Sequence, residues 1–210
     1  MKISIGATAV LAGILLLATR VSADDQKLHA RLIGFHEVPA NSTVASGEFK
    51  AILINDTTIQ YELTYSGLEG VVTQAHIHFG QRFVAGGISL WLCQIPADPL
   101  VNPPNANPAD PTGLAPLCPQ TAQGPTSVKG SLTFANLAGP AAQGIDGSAV
   151  TRTPEEFAEI VKAIRAGLAY ANVHSVKFPS GEIRGQIRVG HDDKGKDDKE
   201  RHDRGRDDKH

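Results

Sequence analysis

The chain has 210 residues, with 20 basic and 22 acidic side chains and a formal net charge of −2. After removal of a leader, that length suits one domain of ordinary size with a real core, and two domains would be crowded. The near balance of charge excludes the basic excess that nucleic-acid binding or steering to an anionic membrane would need.

In chain order, residues 1–23 read as a signal peptide. Lys2 supplies the positive start, Ile3 to Ala18 the apolar run, and Val21-Ser22-Ala23 the small residues at the cleavage positions. The apolar run falls short of the roughly 20 residues that span a bilayer, so no membrane insertion is expected after cleavage. No Cys follows the cleavage site to take a lipid, and the product is expected to be secreted or periplasmic.

From Leu28 to Val189, short runs of β-branched and aromatic residues are separated by Gly, Pro, Asn and Asp. This pattern predicts an all-β domain over residues 24–190, an antiparallel immunoglobulin-like sandwich or barrel of about seven to nine strands with one short helix. Leu28 to Phe35 is the first strand. Ser46 to Ile54 and Thr58 to Ser66 form a hairpin around the turn residues Asn55-Asp56-Thr57. Val72 to Phe79, Ile88 to Cys93 and Ser127 to Phe134 follow, and Ala169 to Val176 and Glu182 to Val189 close the series. In the last strand Glu182, Arg184, Gln186 and Arg188 share one face, predicting a half-buried strand with a solvated charge network. A four-residue loop over Phe178 to Gly181 would set His174 opposite Gly185.

Thr153-Pro154-Glu155-Glu156 offers an N-cap, a proline at the first helical position and a glutamate for a capping box. Phe157, Ile160, Val161 and Ile164 then recur at helical spacing, a stripe expected to plug one edge or end of the sheet, and Gly167 can end the helix. Residues from Ile95 to Pro125 lack periodicity and read as a long surface loop. Residues 191–210 carry eight acidic and seven basic side chains and no apolar one, so they are expected to be a disordered, solubilising tail.

Cys93 and Cys118 are the only cysteines, and an even pair in an exported protein points to a disulfide. Free or metal-binding thiols are the alternative, although neither Cys has a CxxC neighbour. The bridge would close 26 residues, counting both ends, and is worth about 3–4 kcal/mol on the chain-entropy model.

The remaining chemistry lies in the histidines. His76 and His78 alternate with Ile77 on one predicted strand and so share a face, and His174 lies on another. Neutral imidazoles so placed suit one copper or zinc ion with an open position for water or substrate, and with copper the alternative function is a redox-active metalloprotein. His36 is a conceivable fourth ligand, and Glu182 an alternative donor or a partner for a ring N–H. The opposing possibility is that each imidazole merely hydrogen-bonds within the core. Ligands of one ion, each about 2.0 Å from it, must lie within roughly 4 Å of one another. Asn41-Ser42-Thr43 and Asn55-Asp56-Thr57 fit the glycosylation pattern but read by default as turns. No nucleophile elbow, phosphate loop or paired-carboxylate constellation is present, so no catalytic residue is assigned and a non-enzymatic role is the default.

Three motifs occur in order: Glu37-Val38-Pro39, then Ala75-His76-Ile77-His78-Phe79-Gly80, then Asn172-Val173-His174-Ser175 leading to Phe178-Pro179-Ser180-Gly181-Glu182-Ile183-Arg184-Gly185-Gln186. Together they resemble the CHRD domain, named for the chordin proteins, over nearly all of Leu28 to Val189. The resemblance implies an extracellular β-sandwich acting as a binding or structural module for an extracellular or cell-surface partner of unknown identity. Chordin's growth-factor-binding modules have no counterpart here, so that role is not carried over. His36 departs from the small or amide residue expected before Glu37. The His-x-His motif alone is also similar to that of copper/zinc superoxide dismutase, but the chain lacks a recognisable set of bridging and zinc-site ligands.

Overall fold

The structure, a computed structural model, describes residues 25–96, 109–121, 124–148, 150 and 152–190. The expected leader, the charged tail and part of the long loop lie outside the described residues. Among the described residues no helix is long and apolar enough to cross a membrane.

The clearest amphipathic alternation forms the central hairpin. In β2 (Ser46–Ile54) and β3 (Thr58–Ser66) the pairs Phe49↔Leu63, Ala51↔Tyr61 and Leu53↔Ile59 all face inward. Burying each large side chain is worth about 1.5–3 kcal/mol, and a one-residue slip would expose them all, so the register is fixed. Asn55 and Asp56 take φ of 47° and 58°, the left-handed conformation their short polar side chains tolerate.

Seven further strands complete an antiparallel sheet: β1 (Gln26–Ile33), β4 (Val72–Phe79), β5 (Gly87–Gln94), β6 (Thr126–Leu132), β7 (Ala169–Ser175), β8 (Ile183–Gln186) and β9 (Arg188–Val189). Their order is β5-β4-β7-β8-β1-β2-β3-β6, with β9 also paired to β1. The two ends approach each other through a bridge between Leu90 and Leu137 and an Ala138 N–H donated to the Ser89 carbonyl at 2.8 Å. The sheet is therefore nearly closed, which favours the barrel of the two expected architectures. Tyr61 and Tyr65 donate their hydroxyls to the Leu92 and Pro119 carbonyls at 2.5 and 2.7 Å, linking β3 to β5 and to the loop beyond it. Cys93 and Cys118 form the disulfide and pin that loop to β5.

The helix α1 (Pro154–Arg165) starts as read: Thr153 accepts from the Glu156 N–H and Pro154 opens the first turn. The capping box does not close, because Glu156 instead accepts from the Asp146 N–H. Phe157, Ile160, Val161 and Ile164 are all buried in the core, and α1 contacts β7 and β9.

The C-terminal strand departs from expectation. It is split into β8 and β9 at Ile187, whose N–H goes to the Ala169 carbonyl at 2.9 Å. Glu182 and Arg184 are buried rather than solvated. Gly185 faces Ala171, not His174, so the loop register is three residues from the one expected. Its missing side chain serves a close strand approach instead, since a Cβ there would overlap the Arg31 carbonyl.

Candidate metal centre

The site arises because β4 and β7 are covered on both faces. Ala75, Ile77, Ala171 and Val173 point into the apolar core. The alternate positions His76, His78, Tyr170, Asn172 and His174 lie on the other face and are buried as well. The β4–β7 register sets His76 beside Asn172 and His78 beside Tyr170. Trp91 of β5 stands across from His76 with its ring 4.2 Å away, edge to face. His78 stacks on Tyr170 at 4.6 Å, and the Arg184 guanidinium lies over the other side of that system, 3.3 Å from the Tyr170 ring centre.

His76, His78 and His174 thus lie together, although strand parity set only the first two on one face. One ring nitrogen from each lies within 4.8 Å of the others. The span is wider than the roughly 4 Å that one ion permits, so a shared ion needs about 1 Å of inward movement. The closest pair, His76 Nδ1 and His174 Nε2, is 3.2 Å apart. That is close to the spacing of about 3.3 Å set by two nitrogens 2.0 Å from a tetrahedral ion.

Hydrogen bonds fix which nitrogens carry lone pairs. His174 Nδ1 is 2.9 Å from the Pro179 carbonyl, and His78 Nδ1 is 2.9 Å from the Gly86 carbonyl. A carbonyl only accepts, so both imidazoles donate from Nδ1 and keep a lone pair on Nε2. His78 Nε2 then faces the Asn172 Oδ1 at 3.0 Å, two electron-rich atoms against each other. Asn172 also pulls the Glu37 carboxyl down, against the burial that raises it. The Nε2 of His76 is buried with no hydrogen-bond partner among the described residues.

Burial keeps all three rings neutral. It drives His78 down to about 3 and His174 to about 4, and holds His76 well below the ordinary histidine range, with neighbouring imidazoles adding to the shift of His76 and His78. Burial also raises the Glu37 carboxyl to about 7 against the opposing pull of Arg184. The centre is therefore a buried cluster of uncharged nitrogen donors, the protonation state that metal binding requires.

The two auxiliary ligands suggested by the sequence lie elsewhere. His36 is not part of the cluster and lines a separate cleft. Glu182 accepts from the Thr43 hydroxyl and the Glu69 N–H, both at 2.8 Å, and from Ser175, so it joins loops rather than orienting a histidine ring. Asn41 donates to the Gly181 and Glu182 carbonyls at 3.1 Å, a structural use of a predicted turn residue. Asn172, Tyr170, Trp91 and Glu37 went unassigned in the sequence. Tyr170 and Asn172 were signalled by their shared parity with His174. The Gly86 and Pro179 carbonyls have no side-chain signal at all.

Fold and cluster together define a β-sheet module with a buried trio of imidazoles. A family model for the CHRD domain matches residues 28–187, and the chain belongs to that family. No curated protein and no solved structure matches it.

Proposed function

We propose that this CHRD domain is an exported, non-enzymatic module whose buried trio, His76, His78 and His174, binds a single copper or zinc ion that stabilises the fold. The observation that carries the reading is the convergence of lone pairs. Two Nδ1–H groups are committed to backbone carbonyls, and the freed Nε2 atoms face the cluster, where one meets an amide oxygen that cannot donate to it. A cation at that point would accept the lone pairs of both Nε2 and Oδ1. Imidazole donors suit copper and zinc. The low exposure of all three rings argues for a structural ion over a catalytic one.

The disulfide and the leader-like N-terminus support export to the periplasm or the cell exterior, where the domain would meet a surface or matrix partner. A second reading, a purely structural trio, is favoured by the direct contact of His76 Nδ1 with His174 Nε2, which pairs those two nitrogens without an ion.

Metal loading of the purified protein decides between them. One equivalent of copper or zinc is expected, with a rise in Tm corresponding to about 2.7 kcal/mol at a free metal concentration of 100 times Kd. His76→Ala with His78→Ala should abolish both effects. Substoichiometric metal that survives the substitutions, with Tm unmoved, supports the structural reading.

A further inference from the structure

Outside the histidine trio the most organised polar feature is a cleft of about 200 Å³ formed by β1, β8, β9 and the loop after β4. Arg31, Arg82, Arg184 and Arg188 line it together with His29 and His36, and no carboxylate does. In a chain whose net charge is −2, gathering four guanidinium groups around one hollow opposes the average charge of the molecule. Like charges held this close repel unless an anion lies among them.

Arg184 sharpens the point. It is only 2 % exposed, and it donates to the Gln81 and Val84 carbonyls at 3.1 and 2.9 Å. Among the described residues no carboxylate lies within ion-pairing distance of it. Its compensation comes from Tyr170, whose ring centre is 3.3 Å away, and then from Glu37, whose carboxyl burial moves toward its neutral form, so no full counter-charge faces the cation. A buried charge without a full partner is costly, and an external anion would supply one.

The rim carries a second signal. Phe83 is 67 % exposed and sits at φ 66°, a left-handed conformation unfavourable for a bulky residue, with the Arg82 guanidinium 4.8 Å from its ring centre. Backbone strain that holds an aromatic ring out at a cleft mouth is characteristic of a ligand contact. Guanidinium forks match the oxygens of phosphate and sulfate in geometry as well as charge.

We infer that this cleft is an oxyanion site, taking a small ligand that pairs a phosphate or sulfate group with a flat apolar face. The oxyanion sits among Arg31, Arg184 and Arg188, and the flat face packs on Phe83. The site shares no lining residue with the histidine trio, although Arg184 also covers the Tyr170 ring on which His78 stacks.

Calorimetric titration at constant ionic strength tests it, with phenyl phosphate, phenyl sulfate and inorganic phosphate as probes. One saturable site is expected, with Kd about 1 mM or tighter for the better phenyl ester. The two esters distinguish phosphate from sulfate as the preferred group. Arg31→Gln with Arg188→Gln, both exposed and outside the core, should weaken binding at least tenfold. Phe83→Ala should weaken the phenyl esters and leave inorganic phosphate unchanged. Lys129→Gln with Lys162→Gln removes the same charge from residues that do not line the cleft and should change nothing. No saturable binding of any probe, or equal weakening by the lysine pair, would overturn the proposal.

Discussion

The β2–β3 hairpin and the β4–β7 pair are built from the same extended backbone but spend their outer faces differently. In the hairpin, Lys50, Gln60 and Glu62 face outward, and the inner row of Phe49, Leu53, Ile59, Leu63 and Tyr65 is fully buried. In β4 and β7 the outer row is buried too, and it consists of polar rings and amides. One region gains its stability mainly from apolar contact, with two tyrosine hydroxyls bonded to carbonyls. The other must satisfy donors and acceptors away from water, and every polar atom it leaves unmatched costs about 1–3 kcal/mol. A fold carries such a layer at a net cost unless the layer has work to do.

The difference predicts opposite responses to acid and to truncation. Acid has the largest effect. Without metal, the three histidines are neutral in the fold, whereas an unfolded chain takes up their protons below about pH 6.5. Their contribution is therefore full above pH 6.5 and falls as pH drops toward the folded values of about 4 and 3. Each group costs up to about 1.4 kcal/mol per pH unit, and the sum over 2 or so units is comparable with a whole domain's stability. Urea midpoints measured from pH 7.5 to 4.5 should fall steeply, and bound metal should delay the fall. A flat profile would mean that the rings are not held neutral.

Truncation in the hairpin comes next. Phe49→Ala should cost about 3–5 kcal/mol in chemical denaturation, since it empties a fully buried position. By contrast, replacing His76 and His174 together by Leu in metal-free protein removes both partners of one contact and should cost about 1 kcal/mol or less, while abolishing metal uptake. A double-variant penalty as large as that of Phe49→Ala would show the trio to be ordinary core.

Glu37 provides a smaller test. Its folded value of about 7 lies above the ordinary 4.5, so its contribution is full below pH 4.5 and is lost as pH rises toward 7. This runs against the histidines, so Glu37→Gln should steepen the acid fall by up to one proton's worth, about 1.4 kcal/mol per pH unit. An unchanged slope would place the Glu37 carboxyl in its ordinary range. Smallest is the exposed Lys129–Glu62 pair on the hairpin side, where Glu62→Gln should shift stability by no more than about 0.5 kcal/mol.

The parts of the fold that were legible in the sequence are those governed by local period. Alternation placed β2, β3 and β4 to the residue, helical spacing placed the stripe of α1, and parity put His76 and His78 on one face. The burial of that face was not legible, because it is imposed by segments distant in sequence, with Gly86, Trp91 and Pro179 closing over rings from β4 and β7. The same remoteness misled the reading of Glu182 and Arg184. As an i and i+2 pair they look solvated, yet Glu182 turns to Thr43 and Glu69 while Arg184 turns to Gln81 and Val84. The register of Gly185 was equally hidden, since it is set by contact with Arg31 on another strand.

The protons on His78 and His174 are held by main-chain oxygens in two connecting segments, not by side chains. Those segments can change their chemical identity with little effect on the imidazoles, but they cannot change length. Gly86 and Gly181 are exceptions, because a Cβ at the first would strike the Phe79 carbonyl and at the second, where φ is 128°, the Glu37 carboxylate. Deleting or inserting a single residue between 80 and 86, or between 176 and 181, would slide the accepting oxygen away and free a ring to rotate. Sequence drift in this domain should therefore leave composition loose and spacing rigid across both connections.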